Sequence, residues 1–269
     1  MAISKISSAI LYTEKMEMRK FGIEAFPRPL KKLIKSVIPE SLVKWRRKRV
    51  LDSFSGRSNG EIFTATYLNY LWGRKEGDFN FYSGDGSHNP EIIDEYINKV
   101  SGFLAEFSSP PVVVDLGCGD FHIGRQLSKY AKQYIACDVV PEVIEANVSR
   151  NDLTNVSFRV LDAATQDLPK GDIVILRQVL QHLSNLDVQN VLQRIQGNFR
   201  YLIFTDHQPL GLEWTPNLDK QTGPNIRTEF GSGLDLAQPP FDFSSLDCKL
   251  ISDIKVDDGY IRTFIFHLG

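Results

Sequence analysis

Cysteine is scarce in this 269-residue chain: Cys118, Cys137 and Cys248 are odd in number, far apart and without C-x-x-C spacing. That argues against a disulfide framework or a zinc site and makes a reducing cytoplasm the expected compartment. Long apolar runs are missing as well. The N-terminal MAISKISSAILYTEKMEMRK has too short an apolar stretch for a signal peptide, and no later segment approaches the roughly 20 apolar residues that span a bilayer. The expectation is a protein neither secreted by that route nor integral to a membrane. A strong net charge is also absent, at -2, but the balance is uneven. Arg19 to Arg49 holds eleven Lys/Arg against Glu24 and Glu40, which leaves 20 basic and 31 acidic residues for the rest. This is a basic arm on an acidic body. Apolar residues interleaved with the cations suit peripheral contact of residues 19–50 with an anionic membrane surface, as well as a solvated or dimer-forming helix pair. The acidic body argues against a nucleic-acid partner.

With 42% hydrophobic residues the chain can bury a core without staples. In LKKLIKSVIPESLVKWRRKRVLDSF, two short amphipathic helices broken at Pro39 are expected. Ser58 and Glu61 form a capping-box pattern that opens a helix up to Gly73. The glycine-rich RKEGDFNFYSGDGSHN follows; with Trp72 just before it and Tyr82 and Ser83 inside it, it is either a lid whose Trp72 and Ser83 bind the cofactor beneath or a connector. Asn89 and Pro90 start a helix whose apolar residues from Ile93 to Phe107 fall at helical spacing, before Pro110 and Pro111 stop it. From Val112 onward, strand-like runs (VVVDL, YIACD, VSFRVLD, DIVILR, YLIFTD) alternate with helical segments, which predicts a doubly wound parallel sheet covered on both faces. KLISDIKV, an Asp258-Gly259 turn and YIRTFIFHL predict a closing β-hairpin.

The first of these strands ends in VVVDLGCGDFHIG. Its Gly117 and Gly119 suit close approach of a ligand beyond the strand ends. A dinucleotide fingerprint needs a third glycine where His122 stands; Gly124 comes two residues late. Asp115 and Asp120 bracket the turn, so a pyrophosphate is disfavoured and a ligand with an ammonium and a sulfonium is favoured. Asp138, ending the second strand, can accept hydrogen bonds from both ribose hydroxyls, and Asp162, ending the third, from an adenine amino group. Three acidic strand ends describe a cationic nucleoside.

From about Asn89 to the C-terminus, VVDLGCGD, IACDVVPEVIEAN, FRVLDAA and DIVILRQVLQHLSN resemble the successive cofactor motifs of class I S-adenosylmethionine-dependent methyltransferases. The resemblance implies a Rossmann-like, mostly parallel seven-stranded α/β sheet ending in an antiparallel hairpin, in a methyltransferase domain at 89–269. Residues 1–88 would then be a basic helical arm and lid. It also implies S-adenosyl-L-methionine as cofactor, with Asp115, Gly117 and Gly119 around its methionine part, Asp138 and Val139 at the ribose, and Asp162 with Ala163 near adenine. Arg177 and Gln178 would line the floor. WGRKEGDFNFYSGDGS, RQVLQHL and LAQPPFDF are similar to small bacterial methyltransferases of glycan or secondary-metabolite pathways, although Gln178 stands where such relatives usually have Asp. The implied reaction is O-methylation of a sugar or glycan hydroxyl. Alternatives are a natural-product scaffold or carboxylate as acceptor, or a non-catalytic cofactor-binding module. His182, just past the fourth strand, is the first candidate for the base, with Asp206 and His207, expected to close the fifth strand, in reserve. Loop 207–243 is long enough to shape an acceptor pocket, with QPPF as a rigid turn inside it. No metal-ligand set is expected.

Overall fold

The computed structural model describes residue 49 and residues 52–73, 81–211 and 213–269. The expected helices of the basic arm lie outside the described residues. Helix α1 (Asn59–Leu68) has the expected capping box: the Ser58 side chain accepts from the Glu61 N–H, and Glu61 reaches back to the Ser58 N–H at 2.8 Å. It stops at Leu68 rather than at Gly73. Asn69 Nδ2 takes the Ala65 carbonyl at 2.7 Å and Tyr70 turns left-handed at φ 53°, so the last carbonyls are closed off and the helix cannot propagate.

Helix α2 (Pro90–Ala105) is capped by the Asn89 side chain and begins on Pro90. It buries Ile92, Ile93, Tyr96, Val100 and Leu104, a gross gain on the order of 10 kcal/mol. Strand β1 (Val112–Leu116), helix α3 (Gly124–Leu127), β2 (Gln133–Asp138), α4 (Pro141–Arg150), β3 (Val156–Val160), β4 (Ile173–Arg177), α5 (Asn185–Ile195) and β5 (Tyr201–Pro209) then alternate. The chain closes with the hairpin β6 (Asp247–Val256) and β7 (Gly259–His267). The sheet order is β3-β2-β1-β4-β5-β7-β6, with β7 antiparallel to both of its neighbours and the other pairs parallel.

Alternation along each strand divides the core. Val114, Leu116, Val174, Leu176, Leu202 and Phe204 pack under α1, α4 and α5, whereas Val113, Ile173, Ile175 and Ile203 pack under α2 and α3. The strand order reverses between β1 and β4, and such a switch point opens a crevice at the carboxyl ends of the strands. The mostly parallel seven-stranded sheet with its antiparallel hairpin, as expected from the sequence, is therefore present, with shifted ends. The hairpin turn is Asp257-Asp258, because Val256 already pairs with Gly259. A Cβ on Gly259 would lie 2.2 Å from the Gln208 carbonyl oxygen and 2.7 Å from His207 Nε2, so the strand can pass there only as glycine. Strand β5 continues to Pro209 because β7 pairs with it along nine positions. Asp206 and His207 consequently lie within β5 instead of ending it. Strand β3 ends at Val160, two residues before Asp162.

Candidate active site

At the end of β1 the backbone turns through Gly117 (φ 80°) and Gly119 (φ 53°), a left-handed conformation that side chains resist. Space imposes the same requirement. A Cβ at Gly117 would stand 2.4 Å from Val179 Cγ2, and one at Gly119 would stand 2.3 Å from Ser83 Oγ. The N–H groups of Gly117 and Cys118 donate to the Cys137 carbonyl at 2.8 and 2.9 Å. Asp138 clasps the same turn from β2: one carboxylate oxygen accepts from the Gly119 N–H and the other from the Val140 N–H, both at 3.0 Å. Burial raises the Asp138 carboxyl to about 6 against the pull of these N–H groups. On α4, Asn147 is a buried polar residue on the face of Val143 and Ile144, and its Nδ2 donates to the Gly119 carbonyl at 2.7 Å.

Asp115 faces α2 from β1, and Tyr134 Oη donates to its Oδ2 at 2.8 Å. Burial pushes the Asp115 carboxyl up to about 7, with Tyr134 and the Arg177 guanidinium opposing that rise. Arg177, on the same face of β4, lies 4.8 Å over the Tyr96 ring and donates to the Gly86 carbonyl at 2.6 Å and to Ser87 Oγ at 3.3 Å. It thus ties the 81–88 segment to the sheet. Gln178 is left-handed at φ 55°, its N–H donates to the Thr205 carbonyl at 2.8 Å, and its amide fills the space beside Gly86. Such strain in a non-glycine residue at a strand end is typical of functional sites.

Residues 59–73 and 81–88 cover these strand ends. Asn59 Nδ2 lies 3.4 and 3.3 Å from the two Asp162 oxygens, and Asp162 Oδ1 also accepts from the Ala164 N–H at 2.9 Å. Ala163 packs at the edge of the core, and Val139 lies under Gly60. Ser83 and Asp120 bond reciprocally: the Ser83 N–H donates to Asp120 Oδ2 at 3.2 Å, and the Asp120 N–H donates to Ser83 Oγ at 2.9 Å. Tyr67 Oη is 3.2 Å from Ser83 Oγ, and His88 Nε2 is 2.6 Å from Asp120 Oδ2. Tyr82, His88 and His122 stack with ring centroids 4.7 Å apart.

On the other side of the turn, His182 ends a 3-10 segment after β4, its ring 5.0 Å from that of Trp72. Gly223 N–H and Lys220 Nζ both donate to the His182 carbonyl at 2.9 Å, and Trp72 Nε1 donates to the Pro224 carbonyl at 3.3 Å. Burial, followed by the Lys220 charge, lowers the His182 imidazole to about 3. Gln181 Oε1 accepts from the His207 N–H at 3.3 Å, which leaves the Gln181 amide nitrogen facing His182 Nε2 at 3.3 Å. The two residues expected in reserve point to opposite faces of β5. Asp206 accepts from the Leu234 N–H at 2.9 Å, within the loop, and burial raises its carboxyl to about 6. His207 Nε2 instead lies 3.2 Å from Asp258 Oδ1 in the hairpin turn. Pro239 and Pro240 form an exposed turn in the same loop, as expected.

Residues 114–199 match a family model described as a methyltransferase domain. The ubiquinone biosynthesis O-methyltransferase of Rickettsia akari is 24% identical over 54% of this chain and 59% of its own. An uncharacterized RNA methyltransferase of Clostridium acetobutylicum is 33% identical over 33% of this chain and 20% of its own. The chain thus spans less than two thirds of either curated relative. Among solved structures, the N-methyltransferase NodS of Bradyrhizobium japonicum, in complex with S-adenosyl-L-homocysteine, superposes with a TM-score of 0.51 at 12% identity, covering 68% of this chain and 91% of that one. Residues 114–199 thus resemble a methyltransferase domain, and the chain shares the fold of NodS.

The residues around the turn fit S-adenosylmethionine. S-adenosylmethionine carries a sulfonium and an ammonium, and Asp115, Asp120, Asp138 and Asp162 surround the glycine turn with Arg177 as the opposing cation. The Asp138 carboxylate, which meets the Gly119, Val140 and Val139 N–H groups, still has accepting capacity for a ribose hydroxyl. Among the described residues no group of three or more His, Cys, Asp or Glu is placed to hold a metal ion, and no helix is long and apolar enough to cross a membrane. Sequence reasoning missed Asn59, Tyr67, His88, Asn147 and Lys220. Only Asn147 had a local signal, as a polar residue on the apolar stripe of a helix.

Proposed function

We propose that the chain methylates a hydroxyl group of a sugar or related metabolite with S-adenosylmethionine. The observation that carries this reading is the doubly clasped turn: Gly117 and Gly119 leave no room for a Cβ, and Asp138 accepts from the Gly119 and Val140 N–H groups, an arrangement that would suit a ribose hydroxyl on the same carboxylate. Asp162 would take the adenine edge, and Asp115 with Asp120 the cationic end. When bound, the cofactor supplies an electrophilic methyl group whose transfer turns a sulfonium into a neutral thioether. The protein aligns the acceptor oxygen with that methyl and excludes water. Residues 59–73 and 81–88 act as the lid, latched by Ser83 on Asp120 and by Arg177 on the Gly86 carbonyl. We assign the lid to an N-terminal region ending at residue 88 and the transfer chemistry to residues 89–269.

His182 acts as a positioning residue. An imidazole that titrates at about 3 is uncharged at neutral pH, but its Nε2 is already met by the Gln181 amide, so it is a poor proton acceptor. Its carbonyl instead fixes the loop at Lys220 and Gly223. Alignment then supplies most of the acceleration, and the hydroxyl proton released as the C–O bond forms passes to Asp206, the reserve base, whose Oδ1 accepts no hydrogen bond among the described residues. The basic stretch from Arg19 to Arg49 would bring a cytoplasmic enzyme to an acceptor at an anionic membrane face. The deciding experiment is calorimetry with S-adenosylhomocysteine and NAD, followed by transfer of labelled methyl to a panel of glycans and small hydroxy compounds. Binding of the former alone supports the reading; binding of neither ligand would overturn it.

A further inference from the structure

Lys220 lies in the loop that covers His182, at the same carboxyl edge of the sheet as the glycine turn. Its ammonium donates to the His182 carbonyl at 2.9 Å, which uses one of three N–H groups. Three carboxylates, Asp187, Asp219 and Glu229, are within electrostatic reach, yet among the described residues none forms an ion pair with it. Each is turned to another partner. Asp187 accepts from Ser184 Oγ at 2.9 Å and Thr222 Oγ1 at 2.5 Å. Asp219 accepts from the backbone N–H groups of Asn185 and Lys220 at 2.8 Å, and Glu229 from the Ile226 N–H at 3.4 Å. The neighbouring cation, Arg227, is better supplied: it donates to the Leu183 carbonyl at 2.7 Å and to the Leu218 carbonyl, and Asp206 offsets its charge. Lys220 is therefore a half-buried cation that forms no ion pair among the described residues, and burial followed by the Arg227 charge lowers its ammonium to about 7. An unpaired charge taken partly out of water is costly, and a ligand that supplies the opposite charge removes that cost.

We propose that Lys220 binds an anionic oxygen of the methyl acceptor, a carboxylate or a phosphate, so that the substrate is an acidic sugar rather than a neutral one. This rests on the sugar-hydroxyl reading above and narrows it. The loop geometry supports it: Lys220 and Gly223 share the His182 carbonyl, and Trp72 closes over His182 while bonding Pro224. An anion on Lys220 would lie against this wall, at the strand edge where acceptor and methyl group must meet.

The test uses the full chain with 13C,15N-labelled lysine, whose ammonium groups keep all three N–H, and with S-adenosylhomocysteine present. The Lys220 resonance is assigned by its loss in Lys220→Met. Glucuronate, glucose 6-phosphate and glucose are titrated separately. At least one of the two acids should shift the Lys220 resonance saturably and raise its titration midpoint by about one pH unit, which corresponds to a tenfold preference for the charged amine; glucose should not. A response to glucuronate alone identifies a carboxylate, and a response to the phosphate ester alone identifies a phosphate. A resonance unmoved by both acids, or moved equally by glucose, overturns the proposal. Lys220→Met should weaken binding of the responding acid at least tenfold and Lys220→Arg should restore it; unchanged binding in Lys220→Met also overturns it. Affinity for S-adenosylhomocysteine, measured on the same samples, reports separately on the methyltransferase reading and on folding.

Discussion

Replacing Asp115 with Asn removes a buried charge while keeping an oxygen for the Tyr134 hydroxyl. Asp115 is 6% exposed, and burial raises its carboxyl from 3.8 to about 7. A folded state with the higher midpoint holds its proton more tightly than the unfolded chain does. Below about pH 4 both states are protonated and nothing is lost. Between about pH 4 and 7 the unfolded chain ionises first, so stability falls as pH rises, and above about 7 the loss is complete. Three pH units correspond to roughly 4 kcal/mol. In Asp115→Asn that slope disappears. Urea denaturation of the ligand-free protein should therefore show the variant gaining on the wild type by about 2 to 4 kcal/mol between pH 4.5 and pH 8. At pH 8 the variant should still bind S-adenosylmethionine more weakly, having lost a carboxylate that suits the ammonium. If the stability difference between the two proteins is the same at both pH values, Asp115 is not a buried charge and its place beneath the cofactor is wrong.

Asp138→Ala should cost the ligand two charge-assisted hydrogen bonds, on the order of 3 kcal/mol or about a hundredfold in affinity by calorimetry; an unchanged Kd would contradict the ribose assignment. Gly119→Ala meets both a left-handed backbone and Ser83 Oγ at 2.3 Å, so it should lose roughly 1 to 3 kcal/mol of stability and loosen the Ser83–Asp120 latch; a wild-type melting temperature with wild-type cofactor affinity would contradict the lid contact. His182→Ala should lower the melting temperature and raise KM for the acceptor with kcat within a few-fold, whereas a loss of 100-fold or more in kcat at normal KM would restore His182 as the base. Because His182 titrates at about 3, kcat should show no limb near the ordinary imidazole value of 6.5 that disappears in His182→Ala. Deleting residues 1–55 should abolish binding to anionic vesicles while leaving the cofactor Kd unchanged; equal vesicle binding by the truncated chain would remove the membrane role.

The strand-helix alternation was legible because strand and helix periods are local, and because Ser58, Asn89 and the prolines punctuate the helices. The element ends were less so. Where β5 and β3 stop depends on what pairs with them, and the pairing of β7 along β5 carried Asp206 and His207 inside a strand. The acids at the strand ends were legible for a related reason: in this fold the ends of successive strands share one edge, so Asp115 and Asp138 could be placed there from their positions in the chain. Their protonation could not, since it depends on burial.

The sequence by itself determined the order and kind of elements, the glycine turn and the acids that bracket it, all properties of residues close together in the chain. Only the tertiary structure decided which carboxylates are buried and partnered, that Ser83 reaches Asp120 across 37 residues, and that Lys220 reaches the His182 carbonyl across 38. It also separated Asp206 from His207, neighbours in sequence, onto opposite faces of one strand. These outcomes depend on which distant surfaces the packed sheet brings together and on how much water the packing removes, and neither is written in any local stretch of residues.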